Sequence, residues 1–215
     1  TWNVEKGAVQ VDSLEITSGE AVIRANGFYA SQDLMDMRLS VQSLDLSRVV
    51  FLRNGIPLRG RLNGSAHLAK TEDDKALIPE ISLSIDSLGV RHDEIGDLNL
   101  AVKADLAERY INTSASLVNG RRKALDLSGG LHIQDRSLVS DMRLTLDSLP
   151  VDVVHYLLPN VFNKSAGYAS AGLTIEGPVS ALDINGAVRL DRTRLGINFT
   201  NVEYVIPDST VVPVR

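Results

Sequence analysis

Cysteine is absent from this chain of 215 residues, which excludes a disulfide framework and any thiolate metal site and suits either the cytosol or a bacterial periplasm. No apolar run approaches the ~18 residues that a membrane-spanning helix needs, and the N-terminus lacks the basic-then-apolar layout of a signal peptide. A segment that exports or anchors the protein would therefore lie outside this sequence. Positive charge is not in excess either: 22 Lys and Arg stand against 27 Asp and Glu, a net charge of -5, which offers no electrostatic footprint for nucleic acid. Aromatic residues make up only 5% of the chain, with Trp2 the single tryptophan. Large rings fill thick cores, so their scarcity points to a thin layer or a groove.

Chemistry-bearing patterns are missing as well. The histidines His67, His92, His132 and His155 are dispersed, and none stands four residues from another ligand type on a helical pattern, so a metal site is not expected. The densest acidic group, Glu72-Asp73-Asp74, lacks the central glycine of a calcium loop and reads as a solvated turn. There is no nucleophile elbow, phosphate loop or dinucleotide fingerprint. Sequons at Asn112, Asn163 and Asn198 match a pattern too short to carry weight. An enzyme has no residue to stand on here, and no cofactor is expected.

What is present is alternation. Apolar and polar residues exchange places along most of the chain, the mark of strands with one face away from water. Met35, Met37, Leu39 and Val41 share one face against Asp36, Arg38, Ser40 and Gln42. The same holds for Leu62 to Leu68, for Ile81, Leu83 and Ile85, and for Leu98, Leu100 and Val102. Asn119-Gly120 is the strongest hairpin signal; it joins the strand around Ile111 to Leu117 with one carrying Leu125, Leu127, Leu131 and Ile133. Met142, Leu144 and Leu146 follow. Near the C-terminus a strand ends at Gly177-Pro178 after Leu173 and Ile175, a second, with Val188, ends at Leu190-Asp191, and a third begins after Leu195-Gly196. Short turns imply antiparallel neighbours. Only two segments break the period, Ser47 to Arg53 and Asp152 to Leu158. They read as short helices, the first with Asp45 or Ser47 as N-cap and Gly55 just past its end.

Those two segments belong to an internal repeat. LSVQSLDLSRVVFL from Leu39 aligns without a gap on LTLDSLPVDVVHYL from Leu144, an offset of 105 residues. Extended, the units cover residues 39–106 and 144–206 of one continuous β domain, residues 1–215, which reads as a piece of a longer protein. Repetition of this kind builds units that stack on their neighbours.

The order of strand, SLxL, short helix and glycine-rich strand, followed by GPVSALDINGAVRL from Gly177 to Leu190 and a strand opening LGINF, resembles the AsmA-like superfamily. Within it the chain is similar to the TamB group, the translocation and assembly module subunits. The resemblance implies an all-β fold, a long curved and mainly antiparallel sheet forming a U-shaped hydrophobic trough. It also implies residence in the periplasm of a diderm bacterium, with the full-length protein anchored in the inner membrane. It further implies phospholipid movement between the two membranes and support of outer-membrane protein assembly or secretion. A TamA-like outer-membrane barrel and adjacent repeats of the full-length chain are the implied protein partners.

The residues lead to the same mechanism unaided. A sheet with one apolar face exposes more apolar surface than a soluble monomer tolerates, and acyl chains suit it because they need no polar partner. The candidate groove residues are Leu98, Leu100, Val102, Leu125, Leu127, Leu131, Ile133, Met142, Leu144, Leu146, Leu173, Ile175, Val188 and Leu190. The competing reading is a structural or adhesin-like β-sandwich, in which that face is ordinary core between two closed sheets. An outer-membrane barrel would need aromatic girdles, and four Phe, five Tyr and one Trp are too few.

Overall fold

A computed structural model describes residues 2–5, 8–31, 34–49, 58–70, 78–90, 93–134, 137–153, 160 and 162–215; side chains are described from residue 8 onward, excluding Val153. The alternating segments are strands throughout. The first four are β1 (Trp2–Glu5), β2 (Ala8–Ser18), β3 (Ala21–Ser31) and β4 (Leu34–Asp45). A single 3₁₀ turn, Leu46–Arg48, leads to β5 (Leu58–Lys70), β6 (Ile78–Val90), β7 (Asp93–Asp105), β8 (Tyr110–Asn119), β9 (Arg122–Gln134) and β10 (Ser137–Pro150). A second 3₁₀ turn, Val151–Val153, precedes β11 (Phe162–Pro178), β12 (Asp183–Ile197), β13 (Val202–Val205) and β14 (Thr210–Val214).

All fourteen strands form one sheet in sequence order from β1 to β13, with β14 beside β12. Every pairing is antiparallel, and β1 does not meet β13 or β14, so the sheet is open and no barrel closes among the described residues. Short turns favour return beside the preceding strand; the longer stretches 46–57 and 151–161 do the same, and only β14 steps back past β13 to β12 among the described strands. At the Asn119-Gly120 signal, Asn119 pairs with Arg122 around Gly120, whose φ of +62° suits a residue without Cβ.

Two expectations need correction. The first helical segment, expected over Ser47 to Arg53, is interrupted at Val49, whose extended backbone closes the 3₁₀ turn Leu46–Arg48; the second begins as a 3₁₀ turn, Val151–Val153, and residues 50–57 and 154–159, on which the rest of both expectations falls, lie outside the described residues. Of the two N-cap candidates it is Asp45 that caps, its carboxylate accepting from the Ser47 amide at 3.0 Å. The strand break placed between Leu190 and Leu195 is instead an irregularity inside β12, which runs unbroken to Ile197. There Arg192 adopts φ +48° and its amide donates to the Asp208 carboxylate at 2.7 Å.

Burial is unevenly distributed. Apart from Ile111, the buried apolar residues, among them Ala21, Leu46, Val90, Ile95, Ala124 and Val151, lie toward the side of the sheet where β2, β4, β6, β8, β10 and β12 end. Val90, Ile95, Leu117 and Ala124 make a small core against Leu58, Leu88, Leu98, Leu125 and Leu149. At the opposite hairpin ends Tyr29, Leu106, Leu138, Val179 and Leu182 are exposed.

The apolar face as candidate functional site

Register determines which residues share a face, because directly paired residues point the same way and alternate residues of a strand do too. One ladder runs across twelve strands as Ile16, Ile23, Val41, Gly64, Leu83, Leu100, Ala115, Leu127, Leu144, Leu173, Gly186 and Val214. On one side of it runs Leu14, Ala25, Leu39, Ala66, Ile81, Val102, Thr113, Gly129, Met142, Ile175 and Ile184. On the other side run Leu44, Leu62, Ile85, Leu98, Leu117, Leu125, Leu146, Ala171, Val188 and Val212. No charged side chain occurs in these rows. The opposite face is made of such rows as Ser40, Ser65, Ser82, Ala101, Ser114 and Ser128. It also carries cross-strand ion pairs, including Arg24 with Glu15 at 2.7 Å and Lys103 with Glu80 at 3.8 Å.

The fourteen candidate groove residues all lie on the apolar face. Leu100, Leu127, Leu144 and Leu173 stand in the central row, Val102, Met142 and Ile175 in the second, and Leu98, Leu125, Leu146 and Val188 in the third. Leu131 sits beyond the second row with Ile111 and Ser140, and Ile133 pairs with Leu138 near the hairpin end. Leu190 pairs with Ala169 at the other margin. Every one of the fourteen is half-buried, neither sealed nor fully open to water.

The face extends further than the candidates, over β2 to β6. Leu39, Val41, Leu62, Ala66, Ile81 and Leu83 surround Gly64, where the missing side chain leaves an apolar dent of about 80 Å³. A Cβ at Gly64 would fall 2.6 Å from the Ser82 carbonyl oxygen, so the glycine follows from close strand approach. The alternation around Ile81 to Ile85 was signal enough to include these strands.

Another signal was readable and missed. Asp or Gln followed by Ser-Leu occurs at Asp12-Ser13-Leu14, Gln42-Ser43-Leu44, Asp86-Ser87-Leu88 and Asp147-Ser148-Leu149, and each coincides with a bulge. Ser43, Ser87 and Ser148 adopt φ of 52°, 51° and 48°. In each, the serine amide donates to the side chain directly across on the next strand: Asn63 Oδ1 at 2.8 Å, Asp97 Oδ1 at 2.8 Å and Ser170 Oγ at 3.0 Å. Ser43 and Ser148 are 105 residues apart, as are Leu46 and Val151, the buried first residues of the 3₁₀ turns.

Titratable groups are peripheral to the apolar rows. Hydrogen bonds from the Ser47 hydroxyl and amide hold the Asp45 carboxyl below its usual 3.8, and burial, with the Asp141 charge nearby, pushes the Tyr110 phenol up. His67 contacts the Asp36 carboxylate at 3.1 Å, and His132 stacks obliquely on Tyr110 with centroids 4.6 Å apart. His92, His155 and the Glu72-Asp73-Asp74 turn lie outside the described residues. Among the described residues no group of three His, Asp or Glu could hold a metal, and no helix is long and apolar enough to cross a membrane. Compared with protein-family models, with curated proteins and with solved structures, the chain matches none.

Proposed function

We propose that this chain is a scaffold whose apolar sheet face carries phospholipid acyl chains, in the manner the AsmA-like and TamB resemblance implies. The carrying observation is that the fourteen candidate residues share one face in charge-free rows while each stays half-buried. A closed sandwich core would exclude water from such residues, and all described strands belong to a single sheet.

Dimensions support the reading. Twelve strands at ~4.8 Å spacing give the central row a length of roughly 55 Å, and three rows about 7 Å apart make a band wide enough for a lipid tail. One leaflet's acyl chain spans about 15 Å, half the ~30 Å bilayer core, so several fit in line. A methylene sealed from water contributes ~0.8 kcal/mol. A 16-carbon chain lying half-covered on an open face gains on the order of 5 kcal/mol by that measure, enough to hold it and little enough to release it. In this reading the sheet curves into a U-shaped trough in the periplasm of a diderm bacterium. It bridges the inner and outer membranes, supports outer-membrane protein assembly or secretion, and joins adjacent repeats or a TamA-like barrel.

The test is a photo-crosslinking residue placed in turn at Leu100, Leu127, Leu144 and Val188, and at the outward neighbours Asn99, Asp126, Arg143 and Arg189. Lipid adducts are expected at the first four and not at the second. Adducts to protein alone at the inward positions, with no lipid retained in native mass spectra, would favour the sandwich or adhesin reading and overturn this one.

A further inference from the structure

The bulges and the uneven burial together carry a second inference, which rests on the lipid-carrying reading for its functional arm. On β4, β6 and β10 an extra residue is accommodated by a serine in left-handed conformation. That conformation is unfavourable for an L-residue, and the bulge leaves the serine amide off the ladder. One side chain on the following strand satisfies each amide, Asn63, Asp97 or Ser170. Bulges bend the strand and increase its twist. Immediately past them the chain becomes buried, at Leu46 after Ser43, at Val90 after Ser87 and at Val151 after Ser148. Toward the opposite margin the bulges between Val11 and Leu14 and between Tyr29 and Ser31 carry no left-handed serine among the described residues, and the apolar hairpin residues Tyr29, Leu106, Leu138, Val179 and Leu182 are exposed.

We infer that Asn63, Asp97 and Ser170 are positioning residues that build one long wall of the apolar face. Each clamps the bulge of the preceding strand, and the row of clamps holds the strand ends over the apolar rows along that side alone. Acyl chains then enter, and headgroups project, on the side of the β3–β4, β7–β8, β9–β10 and β11–β12 turns. The asymmetry assigns the track an open flank and a closed one.

The experiment uses the intact protein carrying Asp97→Ala, or Asp97→Asn, which keeps an oxygen acceptor. Amide exchange is followed by nuclear magnetic resonance. Lipid contact is mapped with phosphatidylcholine vesicles doped with diazirine-tagged phosphatidylcholine. In Asp97→Ala the Ser87 and Val90 amides should exchange about ten- to hundredfold faster, the size expected for one charge-assisted hydrogen bond, while Leu100 and Leu127 are unchanged. Lipid adducts should spread to Val90 and Ile95, and Asp97→Asn should behave as the parent. Even acceleration across the sheet, no rescue by Asn, or adducts at Val90 and Ile95 in the parent would overturn the wall. If the parent takes no lipid anywhere, the lipid reading fails, and local exchange with Asn rescue decides the clamp on its own. Should Asp97→Ala not fold, Ser170→Ala, which removes an uncharged acceptor, is read the same way at Ser148 and Val151.

Discussion

Substituting Leu127 with Asp separates an open apolar face from a closed core. Leu127 lies between Ala115 and Leu144 in the central row and is half-buried. Complete burial of a leucine contributes ~1.5–3 kcal/mol, so half of it is about 1 kcal/mol. The poor fit of Asp to a strand adds at most ~1 kcal/mol. A carboxylate on an open face reaches water and incurs little more, for a total of about 2 kcal/mol. At ~2–4 °C per kcal/mol for a domain of this size, the melting temperature should fall by roughly 6 °C with the sheet intact by circular dichroism. In a closed core the same change would bury an unpaired carboxylate and lose a whole leucine, more than ~5 kcal/mol, a large share of ordinary domain stability. Thermal melts and lipid crosslinking on one preparation supply both readouts: folded protein with lipid capture reduced around Leu127. An unfolded Leu127→Asp chain would refute the open face.

Further outcomes follow from the same geometry. Gly64→Ala places a Cβ 2.6 Å from the Ser82 carbonyl oxygen and 3.1 Å from the Leu83 Cα; denaturant titration should show destabilisation of about 1–3 kcal/mol, and a stabilised variant would contradict the close approach. At Ser87, φ 51°, Gly should be nearly neutral and Val should destabilise by about 2 kcal/mol or more, with equal effects counting against the bulge. The lowered Asp45 pKa makes its contribution to stability fully present above 3.8 and lost as pH falls through the lower folded value. A carboxyl titration should therefore place the Asp45 midpoint below 3.8, and Ser47→Ala should return it toward that value. Beyond Val11, β2 has no strand on its outer side among the described residues, and Leu14 and Ile16 are 43% and 52% exposed there. Edge pairing should appear as self-association in sedimentation at high concentration, weakened by Ile16→Lys; a strictly monomeric chain would argue against a free edge.

The parts of this molecule legible in its sequence are those governed by a period of two. Leu100, Leu127, Leu144 and Val188 stand out because their neighbours are Asn99, Asp126, Arg143 and Arg189, and one face of the sheet follows from that contrast alone. The bulges are where that rule breaks, since each Asp/Gln-Ser-Leu stretch spaces its apolar residues by three instead of two. After Ile81, Leu83 and Ile85 the next apolar residue is Leu88, and the left-handed Ser87, answered by Asp97 ten residues later, is the structural form of that shifted count. β12 reads as two strands in sequence and is one in the fold, since Arg192 and Thr193 shift the register with β11 without ending the strand. Gly64 and Gly129 carry no hydropathy signal, yet both belong to the apolar rows, where position depends on register across strands and not on residue type. The first helical segment breaks where the period gave no warning: Val49 is extended, and Leu46 is the buried residue of the turn before it.

A sheet in which every strand from β1 to β11 pairs only with its sequence neighbours has consequences for how such a chain folds and grows. Contacts are local, so closure entropy is small at every step and the sheet can zip from any hairpin outward. Cooperativity should weaken with distance, as in linear arrays whose stability is a sum of units and their junctions. Inserting or deleting a pair of strands restores both direction and facing, whereas a single strand would reverse the direction of everything that follows. The even step is therefore the natural quantum of change, each adding about 10 Å, and a gene encoding this fold could set a protein's reach by duplicating hairpins without redesigning any of them.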